Sequence, residues 1–170
     1  DAADISYSAA SGSTFALGTT AVTVTATDNT GNASTCTFEV AVVDTTVPTI
    51  TCPIGPSPVE ATSSAGAVVT YDVATATDIA DDDVALTYSA ASGSTFAIGT
   101  TTVTATATDD SGNSSTCTFD VTVVDTTSPA ITCAAAPASV EATSSSGAAV
   151  SWTASTQATA VDAGDDNVAI

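Results

Sequence analysis

The chain of 170 residues has no lysine, arginine, histidine or methionine, against 19 aspartates and glutamates, for a formal charge of −19. With nothing to neutralise a phosphate, nucleic acid and anionic membrane surfaces are excluded as partners. No side-chain ion pair can form, so the charge must be balanced by solvent cations or by bound metal. General-base, Schiff-base and oxyanion-clamp roles fall to carboxylates alone. A carboxylate pair can cleave glycosides, but every acidic cluster here sits in a turn. No catalytic residue is assigned, and the chain reads as a non-enzyme. Aromatic residues make up only 5%, too few to line a small-molecule pocket. There is no apolar run long enough for a transmembrane helix. Asp1 opens in mid-repeat, so the lack of a leader carries no information.

What the chain does have is alternation. Val103, Ala105 and Ala107 alternate with Thr102, Thr104, Thr106 and Thr108; after a DDSGN turn, Cys117, Phe119, Val121 and Val123 alternate with Thr118, Asp120 and Thr122. Two period-2 runs joined by an Asp/Ser/Gly/Asn turn predict a β-hairpin with one buried and one wet face. Nearly the same words occur from Tyr7 to Pro48 and from Tyr88 to Pro129, 81 residues apart. DTTVPTITCP at 44–53 returns as DTTSPAITCA at 125–134, and VEATSSAGAVV at 59–69 as VEATSSSGAAV at 140–150. The register then slips to 84 residues through an insertion of three within Thr153 to Gln157, just after Trp152.

The repeat divides the chain into residues 1–44, the back part of a unit, 45–125, a whole unit, and 126–170, the front part of another. Expected strands in the whole unit are 49–52, 59–61, 68–73, 84–89, a short piece near Phe96, 101–108 and 115–124. Seven short strands with no helical period predict an all-β chain of tandem immunoglobulin-like β-sandwich repeats. Ile50, Val69, Tyr71, Tyr88, Phe96, Val103, Ala105, Phe119 and Val121 form the expected core. So small a domain buries little of its surface, and a covalent staple is expected. Four cysteines at fixed spacing favour disulfides and an oxidising compartment.

The motifs ITCP, VEATSxxGAVV, ATDxxDDDV, SGSTFxIGTTTVTxTATDxSGNxSTCTFxVxV and VDTTxP, in that order, resemble the hyalin repeat (HYR) domain family. The missing bases and Ala134 in place of the ITCP proline depart from the family pattern. The resemblance implies an extracellular immunoglobulin-like module, usually in tandem arrays, with adhesive or fibre-building roles and no catalytic residues. The expected function is a structural repeat segment of an extracellular fibre or stalk, polymerised head to tail. The alternative is a cell-surface adhesin, or a carbohydrate-binding or accessory module of a larger secreted protein. Expected partners are further copies of the chain, with surface glycans or matrix beyond them.

In an immunoglobulin-like unit the first strand runs beside the last, which pairs Cys52 with Cys117. Cys36 with Cys52 would join edges a domain length apart, beyond the reach of a disulfide. Cys36 and Cys133 are then left to pair with adjacent segments. If strands alternate up and down, the 78–83 loop, the 109–113 turn and the linker at Asp44 emerge at one end of the unit. Glu60 lies toward the other end, near the linker at Asp125 and the loop at 162–167. The resulting candidates for a calcium collar are Asp44, Glu60, Asp78, Asp81, Asp82, Asp83, Asp109, Asp125, Asp162, Asp165 and Asp166; the competing reading is a set of solvated acidic turns. Asn32 and Asn113 head N-x-S acceptor patterns for covalent glycans at equivalent hairpin tips, although asparagine favours such turns on its own. Thr45 and Thr126 are candidate O-glycan sites, although threonine suits a solvated strand face without sugar. Finally, residues 126–170 followed by 6–44 would rebuild one complete unit. That outline fits an excerpt of a longer covalent array or separate chains complementing one another, and a filament in either case.

Overall fold

A computed structural model describes residues 4–133, 139–151 and 158–165. Every regular element among them is a strand. The whole unit is built on the long hairpin of β10 (Gly99–Thr108) and β11 (Ser114–Val124), which pair antiparallel from Gly99↔Val123 to Thr108↔Ser114. The alternation of the sequence becomes an alternation of exposure. Val103, Ala105, Ala107, Phe119, Val121 and Val123 are buried, while the threonines between them stay partly or wholly exposed. On the outer face Thr102 donates to Asp120 at 2.7 Å and Thr100 meets Thr122 at 3.2 Å, the cross-strand polar pairing that stabilises a wet sheet face.

β8 (Ala85–Tyr88) pairs with β10, and β5 (Val59–Glu60) joins β11 in parallel, giving a four-stranded sheet in the order β5-β11-β10-β8. The opposing layer consists of two short pairs. β4 (Thr49–Thr51) lies against β7 (Thr75–Thr77), and β6 (Ala67–Val69) against β9 (Ser94–Phe96). Between the layers lies one core of Ala61, Ala67, Val69, Phe96, Val103, Phe119, Val121 and Val123. Tyr71 stands at its edge, with ring centroids 4.9 Å from Phe119, 5.7 Å from Tyr88 and 6.5 Å from Phe96. The Tyr71 hydroxyl donates to the Ala90 carbonyl, while the Tyr88 hydroxyl accepts from the Ala74 amide at 2.7 Å. Burial, and next the neighbouring Tyr88, push the Tyr71 phenol above its ordinary pKa. This is an immunoglobulin-like β-sandwich.

Three details differ from the expectation. The unit has eight strands, because β7 forms in the ATAT run ahead of the acidic loop. The expected strand at 68–73 is the shorter β6, and Ile50 is only half-buried. The first strand, β4, pairs with β7 and not with the last strand; it is β5 that runs beside β11.

The flanking pieces reproduce parts of this unit in the same register. β1 (Asp4–Tyr7), β2 (Gly18–Thr27) and β3 (Ala33–Val42) form a three-stranded sheet, with Tyr7↔Val24 where the whole unit has Tyr88↔Ala105. β12 (Ala130–Cys133) pairs with β13 (Ala158–Val161), with Ile131↔Ala160 standing for Ile50↔Ala76. Trp152, Ala134 and the insertion at 153–157 lie outside the described residues.

Candidate functional site

Cys52 and Cys117 are bonded, with Cα atoms 5.8 Å apart. The bond runs from the end of β4 to β11 and so links the two layers. Closing a loop with a sequence separation of 65 residues stabilises the fold by about 4 kcal/mol on chain entropy. Cys36 and Cys133, their counterparts in the flanking pieces, are unbonded and exposed.

The linkers are held at both ends of the whole unit. At the entering end, Asn113 donates its Nδ2 to the Asp44 carbonyl at 3.3 Å, and the Ser115 hydroxyl donates to the carbonyl of the fully buried Pro48 at 2.6 Å. At the leaving end, the Glu60 carboxylate accepts from the amides of Thr126 and Thr127, at 2.7 and 3.1 Å, and from both hydroxyls at 2.8 Å. These bonds, that from the Thr126 amide first, hold the Glu60 carboxyl below its ordinary pKa. Glu60 therefore acts as a clasp on the next linker, and the hydroxyl of Thr126, a candidate glycan site, is engaged in that clasp. Thr45 is exposed.

The hairpin tips are locked by aspartate and asparagine. Asp109 accepts from the Asn113 amide at 2.7 Å and from its Nδ2 at 2.9 Å. Asp28 accepts from the same groups of Asn32 at 2.8 and 2.9 Å, and from the Thr30 hydroxyl at 2.7 Å. Both asparagines thus donate their Nδ2 to the aspartate that opens the turn, and Asn113 reaches the Asp44 carbonyl as well. Burial pushes the Asp109 carboxyl up, but the bonds from Asn113 and from the amides of Ser111 and Gly112 outweigh it and leave the pKa lowered. The Asn32 side chain and then Thr30 hold the Asp28 carboxyl well below the carboxylate range.

Of the acidic candidates, one group gathers among the described residues. Asp44, Asp78 and Asp109 each place a carboxylate oxygen within 4.8 Å of the other two. Asp109 is only 5% exposed. Asp81, Asp82 and Asp83 are not in this group: Asp81 accepts from the Asp83 amide at 2.9 Å and from the Asp110 amide at 2.9 Å, tying the acidic loop to the hairpin tip. Asp125 and Asp162 hold the places of Asp44 and Asp78 in the next unit; Asp165 is exposed, and Asp166 lies outside the described residues.

The half-unit outline of residues 1–44 implies an open apolar face, and the structure places an aromatic socket on it. The inner face of β1–β3 is open, and Tyr7, Ala9, Ala10, Phe15, Val22, Phe38 and Val40 line a cavity of about 420 Å³. Phe38 is 47% exposed, whereas its counterpart Phe119 is 7% exposed. In the whole unit Tyr71 occupies the equivalent place, set between Tyr88, Phe96 and Phe119. The signal was present in the repeat, since Tyr7, Phe15 and Phe38 match those three rings.

The sequence model of the HYR domain matches residues 1–42 and 43–123. The chain is 40% identical over 121 residues to Hyalin of Strongylocentrotus purpuratus, covering 69% of this chain and 10% of that protein. It is 38% identical over 113 residues to the Serine-rich adhesin for platelets of Staphylococcus aureus (strain MRSA252), covering 61% of this chain and 8% of that protein. A third relative is the Sushi, von Willebrand factor type A, EGF and pentraxin domain-containing protein 1 of Rattus norvegicus, 36% identical over 103 residues, which are 61% of this chain and 3% of that protein. The chain thus spans a tenth or less of each relative's length.

Proposed function

The chain belongs to the HYR domain family, and on that premise we propose that it is an extracellular, adhesion-related structural repeat whose units stack head to tail into a fibre or stalk. The role is mechanical and needs no catalytic group. Names such as Hyalin and Serine-rich adhesin for platelets support the adhesive side of the reading. Two features of the fold fit an extracellular setting: a disulfide is present, and no helix among the described residues is long and apolar enough to cross a membrane.

The observation that carries the head-to-tail reading is that the whole unit holds the linker before it through Asn113 and Ser115 and the linker after it through Glu60. The aromatic socket on β1–β3, filled in the whole unit by Tyr71, would suit a front half bearing an aromatic at that place. The piece at 126–165 has that character. It repeats the β4·β7 pairing as β12·β13, and Trp152 stands at the Tyr71 position in the sequence. Val150, counterpart of the buried Val69, is 44% exposed. Front half and back half therefore each present an apolar face that the other matches, whether in one covalent array or between chains. A contact that repeats without closing propagates as a filament.

Electron microscopy and sizing of the native material test this reading. Filaments with an axial repeat of two domains are expected, one domain carrying the short loop and one the three-residue insertion. A monodisperse 16.3 kDa monomer under native conditions would refute the fibre. Saturable glycan binding by such a monomer would instead favour the adhesin or carbohydrate-binding alternative.

A further inference from the structure

We propose that Asp44, Asp78 and Asp109 form a calcium site that fastens the entering linker to both halves of the sandwich. Asp44 belongs to the linker, Asp78 directly follows β7 in the front half, and Asp109 directly follows β10 in the back half. One ion would thus tie together three segments that no ion pair can join, because the chain has no basic side chain.

The geometry suits a hard cation of calcium's size. Oxygens sharing one Ca²⁺ at about 2.3–2.6 Å stand at most about 4.6–5.2 Å apart. The three carboxylates already hold oxygens within 4.8 Å of one another. Three carboxylates supply three to six oxygens, and water completes the six to eight that calcium takes. The gathered group contains no thiol or imidazole, so nothing in it favours a softer metal.

A second observation points to the ion independently of the cluster. Asp78 Oδ1 accepts from the Ala80 amide at 2.8 Å, while Oδ2 is sealed from solvent and meets no donor. A buried carboxylate oxygen without a donor is costly unless a positive charge faces it. The same orphan recurs at the next joint. Asp162 Oδ1 accepts from the Gly164 amide at 2.8 Å, and its Oδ2 is again buried and unpartnered. Asp125, which holds the place of Asp44, presses its carboxylate so close to Gly164 that a Cβ there would collide with it. In both units the loop aspartate leaves the same oxygen without a donor, and in the second the linker carboxylate packs on the loop at Gly164. Asp78 and Asp109 lie in the whole unit and Asp44 in the linker directly before it in the same chain, so the site does not depend on contact between chains.

The test is calorimetric titration of the chelator-treated 170-residue chain with calcium chloride, beside thermal unfolding with and without the metal. Saturable binding is expected, at least tenfold tighter for Ca²⁺ than for Mg²⁺, with a rise in Tm of about 5 °C or more at saturation. Asp78→Asn keeps the Oδ1 acceptor for Ala80 and should weaken binding at least tenfold. Asp44→Asn, in the linker, should do the same and covers the case in which the loop variant misfolds. Asp72→Asn, at an exposed carboxylate outside the cluster, should leave affinity unchanged within about twofold, as screened exposed charges would. Absence of saturable heat and of a Tm shift would overturn the proposal. So would an equal loss in Asp72→Asn, which marks a diffuse counter-ion atmosphere, or equal binding of Mg²⁺, which removes the calcium assignment.

Discussion

A side chain at Gly66 would meet two obstacles, conformation and space, and its counterpart Gly147 separates them. Both have positive φ, +107° and +102°, within equivalent turns. A Cβ on Gly66 would collide with the Phe96 carbonyl oxygen, whereas around Gly147 the space is open. Gly66→Ala should therefore cost about 3 kcal/mol or more, combining the left-handed conformation with a backbone clash. Gly147→Ala should cost about 1–2 kcal/mol from conformation alone; urea unfolding checks both. The clasp on the linker has a pH signature. Glu60 has a folded pKa below its ordinary value, so its stabilisation is fully present above the unfolded carboxylate range of about pH 4. It is lost as pH falls through the folded value. Protonation also relieves the mutual repulsion of the acidic chain, so the informative quantity is the difference from Glu60→Gln. The wild type should lose more stability than that variant between about pH 4 and pH 2, measured as urea midpoints across that range; parallel curves would show that the clasp carries no pH dependence.

Among the elements, the long hairpins were the most legible, because ten-residue alternation leaves only one way to face a core. β10 and β11 carry Val103, Phe119 and Val121 to the inside just as their spacing indicates. β7 was not legible, since three residues with a single inward alanine, Ala76, give almost no period-2 signal. The place of β4 was hidden for a different reason. Partner choice between a layer and its opposite is set by tertiary packing, and nothing local in TIT encodes it. The acidic cluster was half legible: strand alternation puts the 78–83 loop, the 109–113 turn and Asp44 at one end, but only folded coordinates select three carboxylates from eleven candidates. The open socket makes a prediction at this scale. Phe119→Ala should cost about 3–5 kcal/mol, as a buried phenylalanine does. Phe38→Ala should cost well under that in isolated chains, where Phe38 is 47% exposed, and should rise toward it in assembled material. Thermal unfolding of both variants, with and without assembly, reads the contrast; equal effects of Phe38→Ala in both states would mean that nothing covers the face.

At the scale of the whole molecule, the finished unit displays how the front and back halves of a repeat meet. The finished unit shows what each face needs: Tyr71 in the aromatic socket, the linker under Asn113 and Ser115, Glu60 on the next linker, and a disulfide across the layers. Reducing Cys52–Cys117 should remove about 4 kcal/mol, lowering the urea midpoint of the whole unit. The central claim is that a back half such as 4–42 is covered by a front half such as 126–165 in the arrangement the whole unit displays. That arrangement places Cys133 opposite Cys36, as Cys52 is placed opposite Cys117. Non-reducing peptide mapping of the native assembly tests it most directly. The account predicts a peptide in which Cys36 is joined to Cys133 of the adjacent segment; two free thiols, or Cys36 joined to another Cys36, would contradict it.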